Sequence, residues 1–95
     1  MNEVVATNFT KRGWKEDPMF PPGFFYPQKD GLPHLHLTSV IDPKSGKHVM
    51  SYLHYKDKNN QVHIIFNDGK WNNDIVNTIP EQNLRDEVNF ANEYK

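Results

Sequence analysis

The chain has 95 residues, 36% of them hydrophobic and 24% charged, with a formal net charge of −1 and no cysteine. That length allows one domain with one modest core. The near-zero charge disfavours a strong non-specific grip on nucleic acid, and the missing cysteines exclude disulfides and thiolate metal sites. The start, Met1-Asn2-Glu3-Val4-Val5, has neither a basic leader nor a long apolar run, and no segment has the apolar length of a membrane span, so a soluble cytoplasmic protein is expected.

Residues 1–31 carry Pro18, Pro21, Pro22 and Pro27, interleaved with Phe9, Trp14, Phe20, Phe24, Phe25 and Tyr26. Proline lacks an N–H and fixes φ, so this stretch is expected as an extended arm over the sheet or along its edge, neither a central strand nor a long helix. Its rings are expected chiefly as core cover; left open, Phe24 and Tyr26 form an aromatic platform for a ligand. Asn8-Phe9-Thr10 matches a glycosylation sequon and is read as chance.

From residue 32 the pattern turns to period two. Leu35 and Leu37 alternate with His34, His36 and Thr38. Val49, Leu53 and Tyr55 alternate with His48, Met50, Tyr52 and His54. Val62, Ile64 and Phe66 alternate with His63 and Ile65, and Trp71 and Ile75 share one parity. Such alternation marks strands with one face in a core. The separating runs are turns: Asp42-Pro43-Lys44-Ser45-Gly46, Asp57-Lys58-Asn59-Asn60, and Asp68-Gly69, whose Asp-Gly pair predicts a two-residue type I′ hairpin. A four-stranded antiparallel meander over 32–76 follows. A single helix is predicted over 78–94, with Thr78 and Glu81 as a capping box, Pro80 in the first turn, a Glu81–Arg85 pair, and a stripe of Leu84, Val88 and Ala91 with Tyr94 nearby. The expected fold class is α+β, one domain.

The strand register decides what the histidines do. With Ile41 opposite Lys47, Lys56 opposite Gln61 and Asn67 opposite Lys70, the aliphatic residues share one face. His34, His54, His63 and Asp74 then form a row on the other, beside a second row of His36, Tyr52, Ile65 and Asn72. Facing Cβ atoms in such rows lie about 4.5–5.5 Å apart.

Three functions fit that arrangement. In an enzyme, His63 is the base, His54 or His34 the acid and Asp74 the orienter, with Tyr52, Asn72 or Lys70 stabilising an oxyanion; this suffices for metal-free RNA cleavage of the small bacterial-toxin kind. In a metal site, His34, His36, His54 and His63 take zinc or another divalent ion, His36 replacing one member of a row too straight for tetrahedral geometry. In a binding protein, His36, Tyr52, Asn72 and Lys70, with Phe24 and Tyr26, hold a partner protein or small ligand. The leading expectation is this last, non-catalytic reading, with no cofactor. His48 is read as solvated. An uncovered final strand invites pairing with a second copy.

Val62-His63-Ile64-Ile65-Phe66-Asn67-Asp68-Gly69-Lys70 is similar to hairpins of barnase-like and colicin-type RNase toxin domains, although no helix is expected before the sheet as in those folds. No phosphate loop, dinucleotide fingerprint, HExxH or nucleophile elbow is present.

Overall fold

The computed structural model describes residues 3–17, 23–27 and 31–95. The elements in chain order are α1 (Glu3–Lys11), β1 (Lys15–Glu16), β2 (Gly23–Tyr26), β3 (His34–Ile41), β4 (His48–Lys56), β5 (Val62–Asn67), β6 (Lys70–Trp71), α2 (Asn73–Thr78) and α3 (Gln82–Ala91), with a closing 3₁₀ turn at Asn92–Tyr94. The fold is α+β with an antiparallel sheet, but the sheet has six strands in the order β1-β2-β3-β4-β5-β6. The helices lie on one of its faces.

The two added strands and the first helix come from the segment expected as an extended arm. α1 forms because no proline precedes position 18. It ends where Gly13 takes φ +98. There Gly13 N–H donates to Thr10 O and Trp14 N–H to Phe9 O, the paired bonds of a Schellman stop. The apolar contact that accompanies such a stop is present as well, the Phe9 and Trp14 rings meeting edge-on at 5.1 Å. β2 escapes the proline penalty because Pro22 and Pro27 bracket it, leaving all four strand residues an N–H to donate. It pairs with β1 on one side and β3 on the other, so it is an interior strand. A helix therefore does precede the sheet. Residues 18–22, including Phe20 and three of the prolines, lie outside the described residues.

The core is one cluster. Phe9, Trp14 and Phe24 from the N-terminal segment meet Leu35, Leu37, Leu53, Ile65 and Phe66 of the sheet and Val76, Leu84, Val88 and Ala91 of the helices. The expected stripe on the last helix is thus buried as read, with Tyr94 packed against it. The predicted helix over 78–94 is shorter, α3 at Gln82–Ala91, and a second helix, α2 at Asn73–Thr78, takes the end of the expected fourth strand. Asn72 caps α2, its side chain accepting from the N–H groups of Asp74 and Ile75. Pro80 then forces Ile79 into extended backbone (φ −69, ψ 116), which stops α2. α3 starts after Glu81, which makes no side-chain cap bond. The Thr78–Glu81 capping box does not form: Thr78 Oγ1 donates back to Ile75 O, and Glu81 accepts from Tyr55. Arg85 turns to Gln82 in place of Glu81.

Turn geometry sets the register, and it departs from the expected one in two places. Between β3 and β4 the pairing starts at Ile41↔His48, one residue beyond the expected Ile41–Lys47, and a bulge at Thr38/Ser39 adds one more. His36 therefore faces His54, and His34 faces Lys56. Two single steps preserve parity, so His34, His36 and His54 stay on one face. Between β4 and β5 the loop is one residue tighter than read. Asn60 N–H donates to Asp57 O, Asp57 N–H to Gln61 O, and Asn60 takes left-handed φ +68. This is a type I turn closed by a bulge residue. A single step reverses parity, so His63 pairs with Tyr55 on the helix side. The third turn is as predicted: Asp68 and Gly69 both have positive φ (52 and 75) and Asn67 faces Lys70.

Candidate functional site

The registers sort the strand residues into two faces. The face turned away from the helices carries Lys15 and Phe25, then His34, His36 and Thr38, then Val49, Tyr52, His54 and Lys56, then Val62, Ile64 and Asn67, and finally Lys70, with Val40 at the far end of β3. The expected row of His34, His54, His63 and Asp74 is not assembled. His63 is on the opposite face, and Asp74 is exposed in the first turn of α2, because Asn72 ends the strand by capping a helix. Of the second expected row, His36 and Tyr52 are on this face. Ile65, the extra residue of a bulge at Leu53/His54, is buried in the core, and Asn72 is exposed at the helix cap. Phe24 is also in the core, which removes it as a ligand platform; Tyr26 is half-buried, its ring 5.7 Å from Trp14. Lys70 is exposed. The His48 side chain lies outside the described residues.

Three imidazoles do come together. The His54 ring lies 5.4 Å from His36 and 6.0 Å from His34. Each is held by a polar neighbour. His34 Nδ1–H donates to Gly31 O at 2.8 Å, which places its proton, since a carbonyl only accepts. His36 Nε2 bonds Asp17 Oδ2 at 3.0 Å, and Asp17, just past β1, is almost fully buried. His54 Nδ1 and the Tyr52 hydroxyl share a bond of 2.8 Å. Burial, seconded by His36, His34 and Lys56, pushes the His54 pKa down to about 4. Burial also raises the Tyr52 hydroxyl.

These values decide what the cluster can do. His54 is neutral near pH 7 and cannot serve as the proton donor assigned to it, while the base it was to work with, His63, lies across the sheet. The four imidazoles expected around a divalent ion are likewise divided. Among the described residues no three His, Cys, Asp or Glu side chains are placed to hold a metal ion. What remains is an imidazole–phenol patch with a neutral His54 at its centre, beside aliphatic residues, suited to contact.

A depressed His54 also ties stability to pH. The unfolded ring takes a proton near pH 6.5 and the folded ring only near 4, so the unfolded state binds more protons in that window. The contribution is complete above pH 6.5 and is lost as pH falls through 4. Discounted for the solvent that reaches the ring, the loss is about 2 kcal/mol. Urea unfolding of the parent and of His54→Gln at pH 7 and pH 4.5 measures it: the parent's drop should exceed the variant's, and equal drops refute it.

On the helix side, His63 Nε2 bonds Asp57 Oδ2 at 2.8 Å, and its ring stacks on Tyr55 at 5.7 Å. This bond, with the backbone N–H groups of Gln61 and Asn59, lowers the Asp57 pKa. The Tyr55 hydroxyl donates to Glu81 Oε1 at 2.7 Å; burial and that carboxylate raise its pKa. Asp57 and Glu81 were both missed as site residues. Asp57 was legible as a turn-opening residue that caps its own loop, whereas Glu81 had been assigned to a cap.

No helix among the described residues is long and apolar enough to cross a membrane. The chain matches no known family model, no curated protein and no solved structure.

Proposed function

We infer that this chain is a small non-catalytic binding protein whose contact surface is the sheet face opposite the helices. One observation carries the reading: Val40, Val62 and Ile64, exposed at 49%, 50% and 45%, all lie on that face, around Tyr52 and His54. Exposed aliphatic residues grouped with aromatic ones form the centre of a protein contact, whereas scattered ones mean little. The neutral His54 suits such a centre, since it adds no charge to desolvate. The charged strand residues on this face are Lys15, Lys56 and Lys70. A partner protein with an apolar patch rimmed by carboxylates complements it; RNA fits less well, because phosphates gain nothing from valine and isoleucine.

The test is capture from lysate of the source cell by the parent, Ile64→Glu and Lys56→Glu. Both positions are on the surface, so folding should change by less than about 0.5 kcal/mol, checked by thermal melts. The expected result is one protein retained by the parent, lost with Ile64→Glu, and bound more weakly at low salt by Lys56→Glu. Retention by folded Ile64→Glu, or recovery of RNA in place of protein, sinks the reading.

A further inference from the structure

A second place in the molecule, on the helix side of the sheet, is unused by that reading and independent of it. A pocket of about 290 Å3 opens between the β4–β5 turn and the segment joining α2 to α3. Its walls include the Tyr55 and His63 rings, the carboxylates of Asp57 and Glu81, and Lys58. The volume is at the small end for a ligand site, enough for a ligand of roughly ten heavy atoms.

The hydrogen bonds around it define what it can accept. Asp57 is already engaged: Oδ1 accepts from the N–H groups of Asn59 and Gln61, and Oδ2 holds His63 Nε2. That bond orients the imidazole and, in the neutral ring, puts the lone pair on Nδ1. Glu81 Oε1 accepts from Tyr55, leaving Oε2 to accept from a ligand. The acceptors are thus a carboxylate oxygen and, in the neutral ring, an imidazole nitrogen, with the Tyr55 ring beside them, and carboxylates outnumber lysines in the lining. A phosphate or carboxylate ligand meets repulsion from both acids. A planar cation rich in N–H donors meets a carboxylate for its charge and ring faces for its plane.

We propose that this pocket, formed by Tyr55, Asp57, His63 and Glu81, is a binding site for a guanidinium group, carried by a small free molecule or by an arginine side chain of a peptide. Glu81 supplies the countercharge, Asp57 acts through His63 by holding its ring, and Lys58 opposes the ligand.

The test is a titration followed by NMR of the His63 and Tyr55 ring signals, with agmatine, N-acetyl-arginine-N-methylamide and inorganic phosphate as probes. Saturable shifts are expected with the two guanidinium probes; the tighter of them tells a free ligand from a peptide arginine. Two variants carry opposite signs. Glu81→Gln should weaken guanidinium binding by about tenfold, and Lys58→Ala, in an exposed turn where folding is indifferent, should tighten it by about threefold. Absence of saturable shifts with either guanidinium probe overturns the proposal, as does tighter binding of phosphate, or a Lys58→Ala variant that binds guanidinium more weakly than the parent.

Discussion

Replacing Phe9 by alanine is expected to destabilise the domain by about 3–5 kcal/mol, the range for losing a large buried ring into a cavity. Phe9 is fully buried and joins three parts of the molecule. Its ring meets Trp14 beyond the stop of α1, Phe24 on β2, and Phe90 and Tyr94 at the C-terminal end, all with centroids between 4.9 and 5.4 Å. Four neighbours of this size cannot collapse together without moving the backbone of separate elements, so the cavity stays open. In a protein this small the loss is comparable to the whole folding free energy. Urea unfolding at 25 °C measures it. A loss under about 1 kcal/mol would mean that α1 is not part of the cooperative core. Because Phe9 lines neither proposed binding surface, its effect should appear in stability alone.

The second large effect is at Glu87. This residue follows Leu84 and precedes Val88 on the buried side of α3. It is stabilised there by three donors from the N-terminal segment: Arg12 Nε and Nη2, each at 2.8 Å, and the Trp14 indole N–H at 3.0 Å. The guanidinium also lies over the Phe90 ring at 4.4 Å, and its pKa is raised by the carboxylate. Glu87→Ala removes the acceptor and leaves the buried indole N–H without one. A loss of about 2–4 kcal/mol is expected, larger than an exposed ion pair gives, because the carboxylate side of this pair is desolvated. Glu87→Gln keeps an acceptor for one donor and should lose about half as much. Since Arg12 is partly exposed, its own removal should cost less. The double variant Arg12→Ala, Glu87→Ala should cost less than the sum of the two singles, and strict additivity would show that the pair is not coupled.

Both predictions concern contacts between the first 15 residues and the last 15, the part of the fold least readable beforehand. Gly13, preceded by Lys11 and Arg12, is a sequence signature of a helix end, but the prolines that follow drew the whole segment toward an extended reading. The prolines constrain only themselves and their neighbours. Nine residues before them and four between them remain free to form a helix and a strand. Glu87 was invisible for another reason. An acid inside an apolar stripe reads as solvated until an arginine and an indole N–H from elsewhere in the chain are brought to it.

The candidate site divides along the same line. That imidazoles would gather on the solvent face was legible, because alternation sets parity within a strand. Which of them gather was not. His63 left the group because Asp57-Lys58-Asn59-Asn60 closes with Asn60 in the left-handed region, shortening the loop by one residue and turning β5 over. The same four residues are compatible with either closure, and propensity alone does not choose between them. The alternation along β5 does not choose either: the closure that forms buries Ile65 and Phe66 and leaves Val62 and Ile64 on the outer face, where the expected register turns them inward.

The amino-acid order alone determined what depends on neighbours in the chain: the alternating strands from His34 to Asn67, the type I′ turn at Asp68-Gly69, and the stripe of Leu84, Val88 and Ala91. The tertiary structure alone decided the number of strands, the facing of His63, and the partners of Glu87 and Glu81. Local geometry is set by steric and hydrogen-bonding preferences within a few residues. Register and pairing are set by contacts between segments distant in the chain, and those contacts exist only once the segments have met.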